Sequence, residues 1–344
     1  RREALLRPLR LGAGARQGGL GAGAGLLVGL AALLGAARPA AGARPARRGA
    51  PGQCSGQEYA GPGGAAYSYC EAAGDGPAAW GTLAPTWGSC SGGSGPQSPI
   101  DVRLERPCAN PFTAGAVGDM LRDIPEGGSP FQPNFGATGY NGVYPAFACA
   151  AGEGDPACAS LYLESRAAPS GSARATYQLQ QFHFHSPSEN LLNGREYFLE
   201  MHLVFALAEA IGDAPGATEE AGGWPQNAVM AVFFEDHSLP QREERGASGV
   251  LTDLWALWKR PMPGQQLRVD LRKLTDASSD FAAFEGSLTT PPCTSGVGWV
   301  VQTRAVGADP ALFETYYRDA LGGWPGNNRP VQDPAGRGVG GSFC

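Results

Sequence analysis

At 344 residues the chain can hold one large domain or two average ones. A net charge of −6 and a pI near 5.3 exclude the strongly basic face of a nucleic-acid binder. Eight cysteines without a Cys-x-x-Cys pair argue against a structural zinc module and suit an oxidising compartment. Positive charge is almost all arginine, with Lys259 and Lys273 the only lysines, a bias to which we give no functional weight.

Residues 1–53 read as a leader rather than as part of a fold. Leu20 to Ala37 is an uncharged run of Leu, Ala, Gly and Val, preceded by Arg1, Arg2, Arg7, Arg10 and Arg16 and followed by Ala41-Gly42-Ala43. That is the layout of a secretory signal with a small-residue cleavage site. The run is also nearly long enough to span a bilayer, so an uncleaved anchor stays open, and with it a membrane association. Organelle targeting is the third reading, weakened because no Ser or Thr precedes Ser55.

From residue 54 to residue 96 the chain is rich in Gly, Ser, Pro and Ala. Residues 102–176 carry several Pro and Gly breakers. Strands are expected at Tyr144 to Ala150, at Ser160 to Glu164 and from Ala175 onward. Cys149 and Cys158 flank the turn-rich tip Gly152-Glu153-Gly154-Asp155-Pro156 and could close a hairpin. Cys54, Cys70, Cys108 and Cys344 have no pairing that the sequence assigns.

Thr176 to His185 alternates as a strand does. Side chains two apart share a face, so His183 and His185 project together and Phe182 and Phe184 oppose them. Leu191-Leu192-Asn193-Gly194-Arg195 carries a turn signal, and Leu199 to Leu207 reads as a second strand. Antiparallel pairing would bring His202 beside the first two. Three neutral imidazoles on one rigid face, with a fourth position open, describe a catalytic zinc site. Glu200 lies two before His202 on the same face, placed to accept from that imidazole. The fourth histidine, His237, follows a strand and is read as a surface residue.

Further along, Asn227 to Phe234 reads as a buried strand and Val297 to Thr303 as another. Val250, Leu254, Leu257 and Trp258 have helical spacing. Asp309-Pro310 opens a second helix, running to about Leu321, with an N-cap and Pro at the first position. There is no internal repeat and no Asn-x-Ser/Thr sequon. The fold class is therefore α+β and mainly β: a single domain with a large, twisted, mostly antiparallel central sheet and short peripheral helices.

Four blocks carry a family resemblance in order: Gln97-Ser98-Pro99-Ile100-Asp101; Phe182 to His185 with Glu189 and Glu200-Met201-His202; Glu285 to Thr294 with Trp299; and Asn327-Asn328-Arg329-Pro330-Val331-Gln332. Together they resemble the α-class carbonic anhydrases of secreted or extracytoplasmic type, from about Tyr67 to Arg337. The resemblance makes residues 54–344 the catalytic domain. It implies reversible hydration of CO2 to bicarbonate and a proton by zinc-bound hydroxide, with Zn2+ on His183, His185 and His202. It also implies that Gln181 accepts from His183, the Asn327 carbonyl from His185 and Glu200 from His202.

The same resemblance makes Thr289 the gatekeeper hydroxyl and Glu189 its acceptor. It places Val204, Val229, Leu288, Trp299 and Thr290 in the substrate pocket, and it pairs Cys90 with Cys293. Gly76 to Trp80 resembles the family's N-terminal segment, where aromatics pack under the site rim, and Tyr69 reads either as a solvent-network tyrosine or as a loop anchor. Departures are visible too. The shuttle position falls on Tyr140 or Val143, with no histidine before His183, Asn190 stands where relatives often have His, and Phe284 where Tyr is usual. Weak internal proton shuttling follows. Two rivals remain: a non-catalytic carbonic-anhydrase-like binding module, which typically lacks a zinc histidine, and a zinc esterase. Nothing in the sequence specifies an oligomer.

Overall fold

Twelve strands form the central sheet of the computed structural model. The structure describes residues 58–92, 95–104, 110–133, 146–150, 158–165, 173–212, 223–236, 246–260, 262, 264–309, 311–312, 326–334 and 338–342. The strands are β1 (Leu121–Arg122), β2 (Ser129–Pro133), β3 (Ala146–Cys149), β4 (Ser160–Glu164), β5 (Arg174–His185), β6 (Leu199–Ile211), β7 (Asn227–Asp236), β8 (Leu267–Val269), β9 (Phe281–Ser287), β10 (Ser295–Gln302), β11 (Val306–Ala308) and β12 (Gly340–Gly341). Their order across the sheet is β8-β2-β3-β5-β6-β7-β10-β9-β12, with β4 joining β1 to β5 and β11 beside β7.

The pairing is mostly antiparallel, as the hairpin signals imply. Two pairs are parallel, β7 with β10 and β7 with β11. A parallel pair needs a long crossover, and here the chain between β7 and β10 holds the helix Ala247–Lys259 and the strands β8 and β9. The helix begins at Ala247, ahead of Val250, the first of the spaced apolar residues. It buries Leu251, Leu254, Trp255 and Leu257 against the sheet. Asp309 caps the next helical turn, its carboxylate accepting from the Ala311 N–H at 2.9 Å; the rest of the expected helix to Leu321 lies outside the described residues.

The two faces of the sheet differ. One carries Phe182, Phe184, Met201, Leu203, Met230, Val232 and Phe234 into the main core, with the Trp255 ring 5.4 Å from Phe184. Each such burial contributes about 1.5–3 kcal/mol, so this face fixes the register. A one-residue slip of β5 would turn its phenylalanines out and its histidines in. The other face carries the histidines and a smaller apolar cluster that includes Val204, Val229, Ala231, Phe233 and Trp299. A third cluster, of Tyr59, Tyr67, Tyr69, Trp80 and Trp87, packs around Cys90 and Cys293.

Cys90 is bonded to Cys293 and Cys149 to Cys158. Cys70 is disulfide-bonded as well. Cys54, Cys108 and Cys344 lie outside the described residues, as do the leader, Tyr140, Val143 and His237. No helix among the described residues is long and apolar enough to cross a membrane.

Candidate metal centre

Strand register assembles the centre row by row. His202 of β6 stands opposite His183 of β5, and Glu200 stands opposite His185. The neighbour of His183 on its other side is Ala146 of β3, a small residue that leaves the imidazole room. One step along the same face, Val204, Val229, Trp299 and Phe284 stand side by side across β6, β7, β10 and β9. The sheet thus sets a row of imidazoles directly beside a row of apolar side chains.

The ligand atoms of His183, His185 and His202 all lie within 4.8 Å of one another. Each ring has one nitrogen already engaged. His183 Nδ1 is 3.0 Å from Gln181 Oε1, His185 Nδ1 is 2.9 Å from the Asn327 carbonyl, and His202 Nε2 is 2.9 Å from Glu200 Oε1. A carbonyl and a carboxylate can only accept, so the ring protons sit on those nitrogens. That leaves lone pairs on the Nε2 atoms of His183 and His185 and on Nδ1 of His202. Burial, and next the field of His202, holds His183 and His185 well below the usual imidazole pKa, so both stay neutral. Neutral imidazoles with oriented lone pairs fit a divalent ion of zinc's preferences.

Glu200 is fully buried. Besides His202 it accepts from the Glu189 and Asn190 backbone N–H groups at 2.6 and 2.8 Å and from Asn190 Nδ2 at 2.7 Å. Asn190 thereby supports the carboxylate that holds His202, and its side-chain Oδ1 accepts from the Ile100 N–H at 3.1 Å. Glu189 accepts from the Arg329 backbone N–H at 2.9 Å, and the Thr289 side chain hydrogen-bonds to the same carboxyl. Burial raises Glu189 to about 7, against the lowering by His202, Arg329 and Thr289.

Val204, Val229, Trp299 and Thr289 are buried, and Leu288 and Thr290 are partly so. The Trp299 ring lies edge-on, 5.0 Å from that of His202, and stacks on Phe284 at 6.0 Å. The Tyr69 ring packs against those of Tyr59, Tyr67 and Trp80. The sequence reading passed over Arg329, whose guanidinium is buried among Gln97, Ser98 and Cys90. Its signal was its place in the Asn-Asn-Arg-Pro block.

The family model for eukaryotic-type carbonic anhydrase matches residues 157–343. The chain belongs to the α-carbonic anhydrases. It is 30% identical to a carbonic anhydrase of Pectobacterium carotovorum over 76% of this chain and 85% of that one. Among solved structures, the α-carbonic anhydrase of Thermovibrio ammonificans, complexed with sulfanilamide, is 26% identical with a TM-score of 0.54, over 80% of this chain and 99% of that one. Dioscorin complexed with ascorbate is 25% identical, also at a TM-score of 0.54, over 80% and 97% of the two chains. Membership makes the chain an enzyme of CO2 hydration, with CO2 and bicarbonate as its reactant and product.

Proposed function

We propose that His183, His185 and His202 hold a zinc ion and that CO2 is hydrated beside it against the Val204–Val229–Trp299 wall. The observation that supports this most is the set of three imidazoles, each with its second nitrogen already bonded to an acceptor. Zinc, when bound, supplies Lewis acidity that makes water a competent nucleophile near neutral pH.

The protein's own residues do the rest. Gln181, Glu200 and the Asn327 carbonyl hold the three rings in the tautomer that presents lone pairs inward. The one proton of the Thr289 hydroxyl is committed to Glu189, so that oxygen can only accept from a third group. This orients the nucleophile towards the carbon of CO2. Val204, Val229, Leu288 and Trp299 give apolar CO2 a dry surface, and Thr290 lines the pocket mouth. Each turnover must also export a proton. The chain has no histidine before His183, so the proton leaves by buffer or by a water chain near Tyr69 or Tyr140, and proton export limits turnover. The disulfide-bonded cysteines suit an oxidising, extracytoplasmic compartment.

The test is CO2 hydration by the zinc-loaded protein at rising buffer concentration, beside His202→Ala. A rate that vanishes with His202 and climbs with buffer is expected. A fast rate indifferent to buffer would refute the weak shuttle. No rate above the control with zinc bound would favour the binding module, a reading that the likeness to ascorbate-bound dioscorin keeps in view.

A further inference from the structure

Arg329 touches neither the imidazoles nor the apolar wall, yet it is 1% exposed and among the largest fully buried side chains of the described residues. Its Nη1 donates to Gln97 Oε1 at 3.0 Å and to the Ser98 carbonyl at 2.7 Å. Its Nη2 donates to the Cys90 carbonyl at 3.0 Å, and its guanidinium carbon lies 5.9 Å from the centre of the Trp80 ring. Burial pulls its pKa down to about 10, so the group remains a cation at neutral pH. A buried cation with three bonds to groups from one distant segment is a device for holding position, and the planar fork directs them from two nitrogens in a fixed geometry that a point-like ammonium lacks.

What it holds is at the other end of the residue. The Arg329 backbone N–H donates to Glu189 Oε1 at 2.9 Å. Asn327, two residues earlier, fixes the same stretch to β5: its side chain accepts from the Ser186 N–H at 2.8 Å and donates to the Phe184 carbonyl at 3.1 Å. The anchors of the guanidinium lead to Thr289. Cys90 is bonded to Cys293, Gln97 Nε2 donates to the Cys293 carbonyl at 3.1 Å, and the Cys293 N–H donates to the Thr290 carbonyl at 2.8 Å. The contacts close a ring: Glu189, Arg329, Cys90 and Gln97, Cys293, Thr290, Thr289 and back to Glu189.

We propose that Arg329 is a positioning residue for the reaction, its buried guanidinium setting where the Glu189 carboxylate stands relative to the Thr289 hydroxyl. The inference rests on the reading that Thr289 and Glu189 orient the nucleophile. It adds that their separation is held by a residue outside the pocket.

The test is a double-mutant cycle of Arg329→Lys and Thr289→Ala in the zinc-loaded enzyme, read as kcat/KM for CO2 and, separately, as zinc affinity by chelator competition. Lysine keeps the charge and loses the fork. Arg329→Lys should lower kcat/KM about tenfold in the wild-type background and less than about twofold beside Thr289→Ala, with zinc affinity unchanged, because residues acting as a unit are non-additive. Equal costs in both backgrounds, or no cost, would overturn the inference while an impaired Thr289→Ala left the parent reading standing. An unimpaired Thr289→Ala would instead sink the parent reading. A loss of activity that tracks loss of zinc would make Arg329 structural support alone. Should Arg329→Lys not fold, Gln97→Met removes one acceptor and leaves Arg329 in place. The same non-additivity at smaller amplitude is then expected, and additive costs overturn the proposal.

Discussion

Glu200 accepts from His202 Nε2, from two backbone N–H groups and from Asn190 Nδ2. A glutamine there would offer one accepting oxygen and turn an NH2 towards groups that are themselves donors. Glu200→Gln should therefore weaken zinc binding by about 10–100-fold, read by chelator competition; unchanged affinity would deny Glu200 its part in holding His202. The histidines also set an acid limit on the metal-free protein. Burial and the field of His202 keep His183 and His185 well below the ordinary value of 6.5. Below that pH the unfolded chain takes up protons that the folded chain refuses, so stability falls as pH drops from 6.5. Glu189, raised by burial to about 7 from 4.5, acts in reverse: its contribution is present below 4.5 and is lost as pH rises through about 7. Metal-free Glu189→Gln should accordingly lose Tm more steeply than the metal-free parent between about pH 6.5 and 5, and equal slopes would count against the opposing sign.

At the scale of the element, β5 and β6 were legible because apolar and polar residue types alternate along them, as in Leu199-Glu200-Met201-His202-Leu203, although β6 is buried on both faces there. Of the strand expected at Tyr144 to Ala150, Ala146–Cys149 is observed, with Tyr144 and Pro145 outside the described residues, and β9 was not recognised as a strand at all. Phe281, Ala282, Ala283 and Phe284 are buried on both faces, so the segment lacks the alternation that marks a half-exposed strand. The close fit of β9 against the Gln97-Ser98-Pro99 block has a testable consequence. A Cβ on Gly286 would lie 2.1 Å from Ser98 Oγ and 3.0 Å from Trp299 Cδ1. Ser98 Oγ accepts from the Ser287 N–H at 3.1 Å, and Ser287 Oγ accepts from the Ser98 N–H at 2.9 Å. Gly286→Ala must disturb that reciprocal pair and press on the apolar wall, at a cost of about 1–3 kcal/mol in chemical denaturation. A denaturation midpoint equal to the parent's would show that Ser98 rotates away freely.

At the scale of the molecule, the two disulfides with both partners described close loops of very different length. Cys90–Cys293 spans 203 residues and Cys149–Cys158 spans 9. Loop-closure entropy gives about 5 kcal/mol for the first and about 2.5 kcal/mol for the second. Replacing the first pair by serine should lower the denaturation midpoint more than replacing the second, and the reverse order would contradict an entropic origin. The first bridge also joins the N-terminal aromatic cluster to the turn that carries Thr289, so its loss should lower kcat/KM for CO2 as well.

The sequence by itself determined which side chains share a face. Alternation along a strand is local, fixed by backbone geometry within a few residues, so His183 and His185 could be read as a pair and the Phe182–Phe184 face as core. It also signalled the hairpin that returns His202 to them. Tertiary structure alone decided what depends on the path of the chain. The parallel pairing of β7 with β10, which sets Trp299 beside Val229, follows a crossover whose route no local pattern encodes. The Asn327 carbonyl meets His185 across 142 residues, and the Arg329 guanidinium meets the Cys90 carbonyl across 239. Resemblance could name the first of these contacts. Only packing, which must bury a cation and satisfy its donors together, put Arg329 behind Glu189.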